Sequence, residues 1–100
     1  MRGDVSFILR NAGQVGFHVV CVRTQSGSTQ NQDMPCSIVV HPGYPAEIVA
    51  SILPPGGYNP PVLKAWFEIE MADGVRRRHA AEWELRRSQF VLLKSEMAEE

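Results

Sequence analysis

Apolar and polar residues alternate with a period of two through much of this chain, the pattern of β-strands that bury one face. Val5, Phe7 and Leu9 alternate with Ser6 and Arg10, and Asn11-Ala12-Gly13 then marks a turn. Residues 15–23 place Val15, Phe17, Val19 and Cys21 on one face and His18, Val20 and Val22 on the other. A strand apolar on both faces belongs in the middle of a sheet. Residues 36–41 resume the pattern and stop at His41-Pro42-Gly43-Tyr44-Pro45. Residues 46–53 follow, with Ile48, Ala50 and Ile52 set against Glu47, Val49 and Ser51, and the two stretches are expected to form a hairpin.

The clearest strand is residues 63–71, where Leu63, Ala65, Phe67, Ile69 and Met71 alternate with Lys64, Trp66, Glu68 and Glu70. Ala72-Asp73-Gly74 turns the chain back, Asp-Gly being a favoured hairpin pair. The return strand, residues 75–85, places Val75, Arg77, His79, Ala81, Trp83 and Leu85 on one face and Arg76, Arg78, Ala80, Glu82 and Glu84 on the other.

Two stretches interrupt the pattern. Residues 24–35 are almost wholly polar and read as an exposed loop. Residues 54–61 contain four prolines and two glycines, which excludes a helix or a central strand and leaves a long connection. Residues 80–98 are rich in helix formers, yet Phe90-Val91-Leu92-Leu93 also fits a final strand. The strand is the expected form, a C-terminal helix giving the alternative α+β fold, and residues 95–100 are expected to be a frayed acidic tail. The whole reads as one all-β domain over residues 1–100, an antiparallel, immunoglobulin-like β-sandwich of six or seven strands.

Composition narrows the field without naming a reaction. A chain of 100 residues with 44% hydrophobic and 21% charged residues has the makings of a folded core rather than of disorder. Its net charge of −1 gives no global field toward nucleic acid or an anionic membrane. No apolar run approaches the roughly 20 residues that span a bilayer. Residues 1–15 lack the apolar centre of a secretory leader, so a cytoplasmic protein with free thiols at Cys21 and Cys36 is expected.

Phe7-Ile8-Leu9-Arg10-Asn11-Ala12-Gly13, followed later by Pro42-Gly43 and the strand from Ala46 to Pro54, resembles the hydin/ASH-type and major sperm protein domains, which share the PapD-like sandwich. The resemblance covers about half the chain. It implies a non-enzymatic scaffold that binds protein partners through a sheet face, loops or an edge strand.

The chemical leads are few. His18-x-x-Cys21 and Cys36-x4-His41 supply zinc-type ligands, but on strands each pair points to opposite faces, so no metal or cofactor is expected. The same thiols lack a local motif for nucleophilic catalysis. Arg76, Arg77 and Arg78, with Arg86, Arg87 and Trp66, suit phosphate contact and base stacking, although Glu68, Glu70, Glu82 and Glu84 are placed to neutralise them. Tyr44 and Tyr58 sit in rigid proline-glycine segments of the kind that serve as contact surfaces.

The expected function is therefore a protein-binding or structural module without catalysis. Its partner is another protein or a second copy of the chain, held through Tyr44 and Tyr58 or an edge strand, with Trp66, Arg76, Arg77 and Arg78 as the second surface. The alternatives are a small nucleic-acid-binding β protein using the arginine-rich hairpin, and a small zinc or thiol enzyme.

Overall fold

The alternation becomes eight strands in a computed structural model that describes residues 3–53, 61–87 and 89–99. They are β1 (Gly3–Leu9), β2 (Phe17–Ser26), β3 (Thr29–Gln30), β4 (Met34–Val40), β5 (Ala46–Ile52), β6 (Val62–Met71), β7 (Arg76–Arg86) and β8 (Gln89–Glu99). All pair antiparallel, and no helix occurs among the described residues. β1 and β5 form a two-stranded sheet, while the six-stranded sheet runs β3-β2-β6-β7-β8 with β4 also paired to β2. The two sheets pack face to face as a β-sandwich.

Between the layers, Phe7, Ile48, Ala50 and Ile52 from the small sheet meet Val19, Val22, Val40, Leu63, Ala65, Phe67 and Ile69 from the large one. Phe67 lies at the centre, 1% exposed. Phe7 meets it edge-on, with ring centroids 5.3 Å apart at 83°, and also leans on Trp83 at 5.3 Å. The strict alternation of β6 produces this, since every second residue from Leu63 to Ile69 is buried.

β2 does not hold one phase. Val19 and Val22 are both buried, although simple alternation would separate them. The register against both β4 and β6 shifts between Val19 and Cys21, so Val20 forms a bulge. Cys21 is thereby registered with Glu68 on the outer face, and Thr24 and Ser26 continue the buried face.

The expected loop over residues 24–35 is instead the end of β2, a turn at Gly27 with φ 61°, and the short β3. Thr24, Ser26 and Asn31 are buried there, within a network of hydrogen bonds, while residues 28–30, 32 and 33 are exposed as expected. Asn31 Nδ2 donates to Ser26 Oγ at 2.8 Å, the Asn31 amide donates to the Thr24 carbonyl at 2.9 Å, and Asn31 Oδ1 accepts from the Leu53 amide at 3.0 Å. β3 is the strand that raises the count above the expected six or seven.

The expected hairpin between residues 36–41 and 46–53 does not form: β4 pairs with β2, and β5 crosses to pair with β1. As hairpin partners, Val40 and Ile48 would lie side by side in one sheet. Split between the sheets, their apolar faces cover each other. The crossing is pinned by Asn11, whose Nδ2 donates to the carbonyls of Val15 at 2.8 Å and Val40 at 3.1 Å.

At the C-terminal end, β8 pairs along β7 from Arg86↔Gln89 to Arg77↔Glu99. The helical alternative gives way to strand, which runs as far as Glu99. Helix propensity amounts to tenths of a kcal/mol per residue, and a ready row of ladder partners on β7 overrides it. Of the proline-rich connection, residues 54–60 lie outside the described residues.

Replacing Phe67 with Ala should lower unfolding free energy by about 3–5 kcal/mol, and Asn31→Ala by about 1–3 kcal/mol because Ser26 and the Leu53 amide lose a buried partner. Urea denaturation checks both. A loss below about 1 kcal/mol at Phe67 would contradict its central place in the core.

Candidate functional site

The two sheets are unequal, and that inequality builds a groove. Phe7 of β1 rests on Phe67 of β6 and reaches Trp83 of β7, so the small sheet stops short of β8. β8 registers Leu92 with Trp83 and Phe90 with Leu85, placing both apolar side chains on the face that Trp83 shares with the core. Nothing among the described residues covers them: Phe90 is 38% exposed and Leu92 is 55% exposed.

β1 lines one wall of this uncovered strip. Among the described residues it pairs only with β5, which leaves the main-chain donors and acceptors of its other edge unpaired. Three hollows follow that edge and share residues, forming one groove. The first, about 250 Å³, is lined by Val5, Leu63, Trp83 and Phe90 among others. The second, about 190 Å³, has Phe67, His79, Ala81 and Leu92 in its walls. The third, about 470 Å³, lies where β1 ends, between Ile8, Leu9 and Arg10 above and Ile69, Arg77 and His79 below.

His79 is half-buried, with its ring 6.5 Å from that of Phe67. Burial pushes its pKa below the ordinary histidine value, because the imidazolium loses solvation it would have in water. Among the described residues no aspartate or glutamate lines the three hollows, and Arg77, which lines the third, is registered opposite Glu99 of β8.

The arginines expected to act together are divided by the strand. Arg77 is registered with Ile69 and lines the groove, whereas Arg76 and Arg78 lie on the outer face of β7. There Arg76 pairs with Glu70 at 3.1 Å, Arg78 with Glu68 at 3.2 Å, and Arg23 with both Glu68 at 3.5 Å and Asp33 at 3.3 Å. Lys64 with Glu82 at 3.7 Å and Arg86 with Glu84 extend the ladder. Trp66 sits within it, beside Arg23 and Arg78 around a shallow hollow. The half-exposed pairs of Arg23, Lys64, Arg76 and Arg78 are worth about 0–1 kcal/mol each. Their main effect is to neutralise the arginines, as the placement of Glu68, Glu70, Glu82 and Glu84 implied.

Tyr44 projects from the turn after β4 and is 74% exposed, its amide donating to the His41 carbonyl at 3.2 Å. Tyr58 lies outside the described residues. The zinc-type residues do not converge. His18 Nε2 shares a hydrogen bond with Ser37 Oγ at 2.8 Å, Cys36 Sγ donates to the Val19 carbonyl at 3.5 Å, and no group of three or more His, Cys, Asp or Glu gathers among the described residues. Both cysteines are free thiols, and burial followed by the nearby Cys21 raises the Cys36 pKa, which disfavours the nucleophilic thiolate.

The groove itself was missed from the sequence. Its signals were present in the shared face of Ala81 and Trp83 and in the Phe90–Leu93 run. What the sequence does not display is that, among the described residues, only β1 and β5 cover the large sheet.

No family model matches the chain, and neither a curated protein nor a solved structure matches it. Among the described residues, no helix is long and apolar enough to cross a membrane.

The lowered pKa of His79 makes the unfolded chain bind more protons than the folded one once pH falls through about 6.5. The stability this group contributes is therefore full above that value and declines below it. Melting temperatures measured from pH 7.5 to 5.5 should fall less steeply in His79→Gln than in the unaltered protein. Parallel curves would show that the imidazole is not desolvated.

Proposed function

We propose that this protein is a non-enzymatic interaction module that takes up an extended segment of a partner protein as a third strand on β1. The observation that carries the reading is the apolar strip of Trp83, Ala81, Phe90 and Leu92 beside the unpaired edge of β1. A segment added there would satisfy the free main-chain groups by strand pairing, and every second side chain would point onto the strip. Such binding combines main-chain affinity with side-chain selectivity. The resemblance to sandwich domains that engage partners through an edge strand points the same way.

Nucleic-acid binding is supported less well, because Arg76 and Arg78 are matched by glutamates and Arg77 faces the other way. Tyr44 remains the second contact surface, through its exposure alone.

The chain has two tryptophans, so Trp66→Phe leaves Trp83 as a fluorescent reporter inside the groove. Titration with peptides selected from an extended, alternating apolar library should shift its emission to the blue and shield it from acrylamide. Leu92→Lys places an ammonium on the strip at an exposed position. It should weaken capture at least tenfold, about 1.4 kcal/mol, while changing stability by no more than about 0.5 kcal/mol. Peptides that bind without moving Trp83, and that lose affinity in Tyr44→Ala instead, would transfer the site to the His41–Pro45 turn.

A further inference from the structure

The free strand edges of the sandwich are not equivalent. Among the described residues, β1, β3, β4, β5 and β8 each pair along one side only. β3 is two residues long, β4 contains Pro35, and β1 and β5 carry Asp4 and Glu47. Short length, proline and charge are the devices by which a strand edge avoids pairing with another sheet. β8 has none of them from Gln89 to Leu93, and there Phe90, Val91, Leu92 and Leu93 are exposed by 38%, 37%, 55% and 46%.

These apolar residues serve both faces of the strand. Phe90 and Leu92 are registered with Leu85 and Trp83 and belong to the groove face, whereas Val91 is registered with Glu84 and lies on the outer face. A segment lying in the groove would cover the first two and leave Val91 and the main-chain edge in solvent. A strand laid alongside β8 covers all of them.

A second copy of the chain supplies such a strand. A two-fold axis that sets a strand antiparallel to its own copy keeps each face on its own side, so residues of the same face must oppose each other. With Val91 opposite Val91 of the second copy, Phe90 of each opposes Leu92 of the other on the groove face. This centre sets apolar residue against apolar residue at three successive positions and leaves the register shift at Leu93 outside them. A net charge of −1 creates little repulsion between copies. β1 cannot be used in the same way, because β7 and β8 extend beneath its free edge and would collide with those of the second copy.

Independently of what the groove takes up, we infer that the free edge of β8 pairs with that of a second copy, antiparallel about a two-fold at Val91, joining the two large sheets edge to edge. The apolar strips of the two copies then adjoin, and their β1 edges face each other across one floor. The ladder from Gln89 to Leu93 is roughly 17 Å long at about 3.3 Å per residue. So short a contact falls below the roughly 800 Å² per partner of a standard stable interface, and the dimer is a reversible one.

Sedimentation equilibrium of the full chain from about 10 μM to about 1 mM should show monomer and dimer in exchange. Val91→Lys and Val91→Glu each set like charges against each other at the two-fold and should weaken the dimer at least tenfold. An equimolar mixture of the two variants should restore it as a mixed dimer. Val91 is exposed and outside the groove, so the melting temperature and far-ultraviolet circular dichroism of each variant should stay close to those of the unaltered protein. A monomer throughout the range overturns the inference, as does a dimer that both variants leave intact. Loss in both variants without rescue in the mixture overturns the two-fold at Val91.

Discussion

Phe7, wedged against Phe67 and Trp83, is the contact on which the other layers depend. A two-stranded ribbon such as β1 and β5 is marginal alone in water and needs an apolar surface to lie on. The ring contacts at 5.3 Å supply that surface and fix where along the large sheet the ribbon comes to rest. Because Phe7 sits over β6 and touches β7, β5 falls over the β2 and β4 side, where Ile48 and Ile52 join Val22 and Val40. The same placement leaves the face of β7 and β8 beyond Trp83 open. One aromatic cluster therefore sets both the core and the groove.

Most of the strands were legible because their burial is periodic. β6 alternates without interruption, Asp73-Gly74 closes its hairpin with β7, and the structure follows both. The failures have separate physical causes. Thr24, Ser26 and Asn31 read as loop because polar composition suggests solvent, yet a closed hydrogen-bond network lets them be buried. Val20 breaks the phase of β2 through a bulge that composition does not announce. The partners of β4 and β5 depend on which faces cover each other, a relation between segments far apart in the chain.

The same reasoning separates what was seen and missed at the surface. Arg76, Arg77 and Arg78 are adjacent in sequence, which suggests a patch, but strand geometry sends the middle one to the opposite face. The outer two then find Glu70 and Glu68 across the hairpin, as the cross-strand charge pattern implied. Only Arg77 enters the groove, where it lines a hollow with Arg10 and is registered opposite Glu99 of β8. The groove needed the small sheet's width to be known, and no local motif encodes that.

An incomplete cover layer also links stability to occupancy. The ribbon of β1 and β5 has one free edge beside exposed Phe90 and Leu92, so a third strand would bury apolar surface on both the ribbon and the large sheet at once. Anything that binds the folded chain alone raises its stability by RT ln(1 + [L]/Kd), about 2.7 kcal/mol at a hundredfold excess over Kd. The gain would appear first in the edge strands that the segment would touch, β1 and the part of β8 around Phe90 and Leu92. Phe67 and its buried companions would change little, being enclosed already. The occupied and empty states would then differ chiefly at the edges of the sandwich, as expected of a module whose site is an unfinished layer of its own fold.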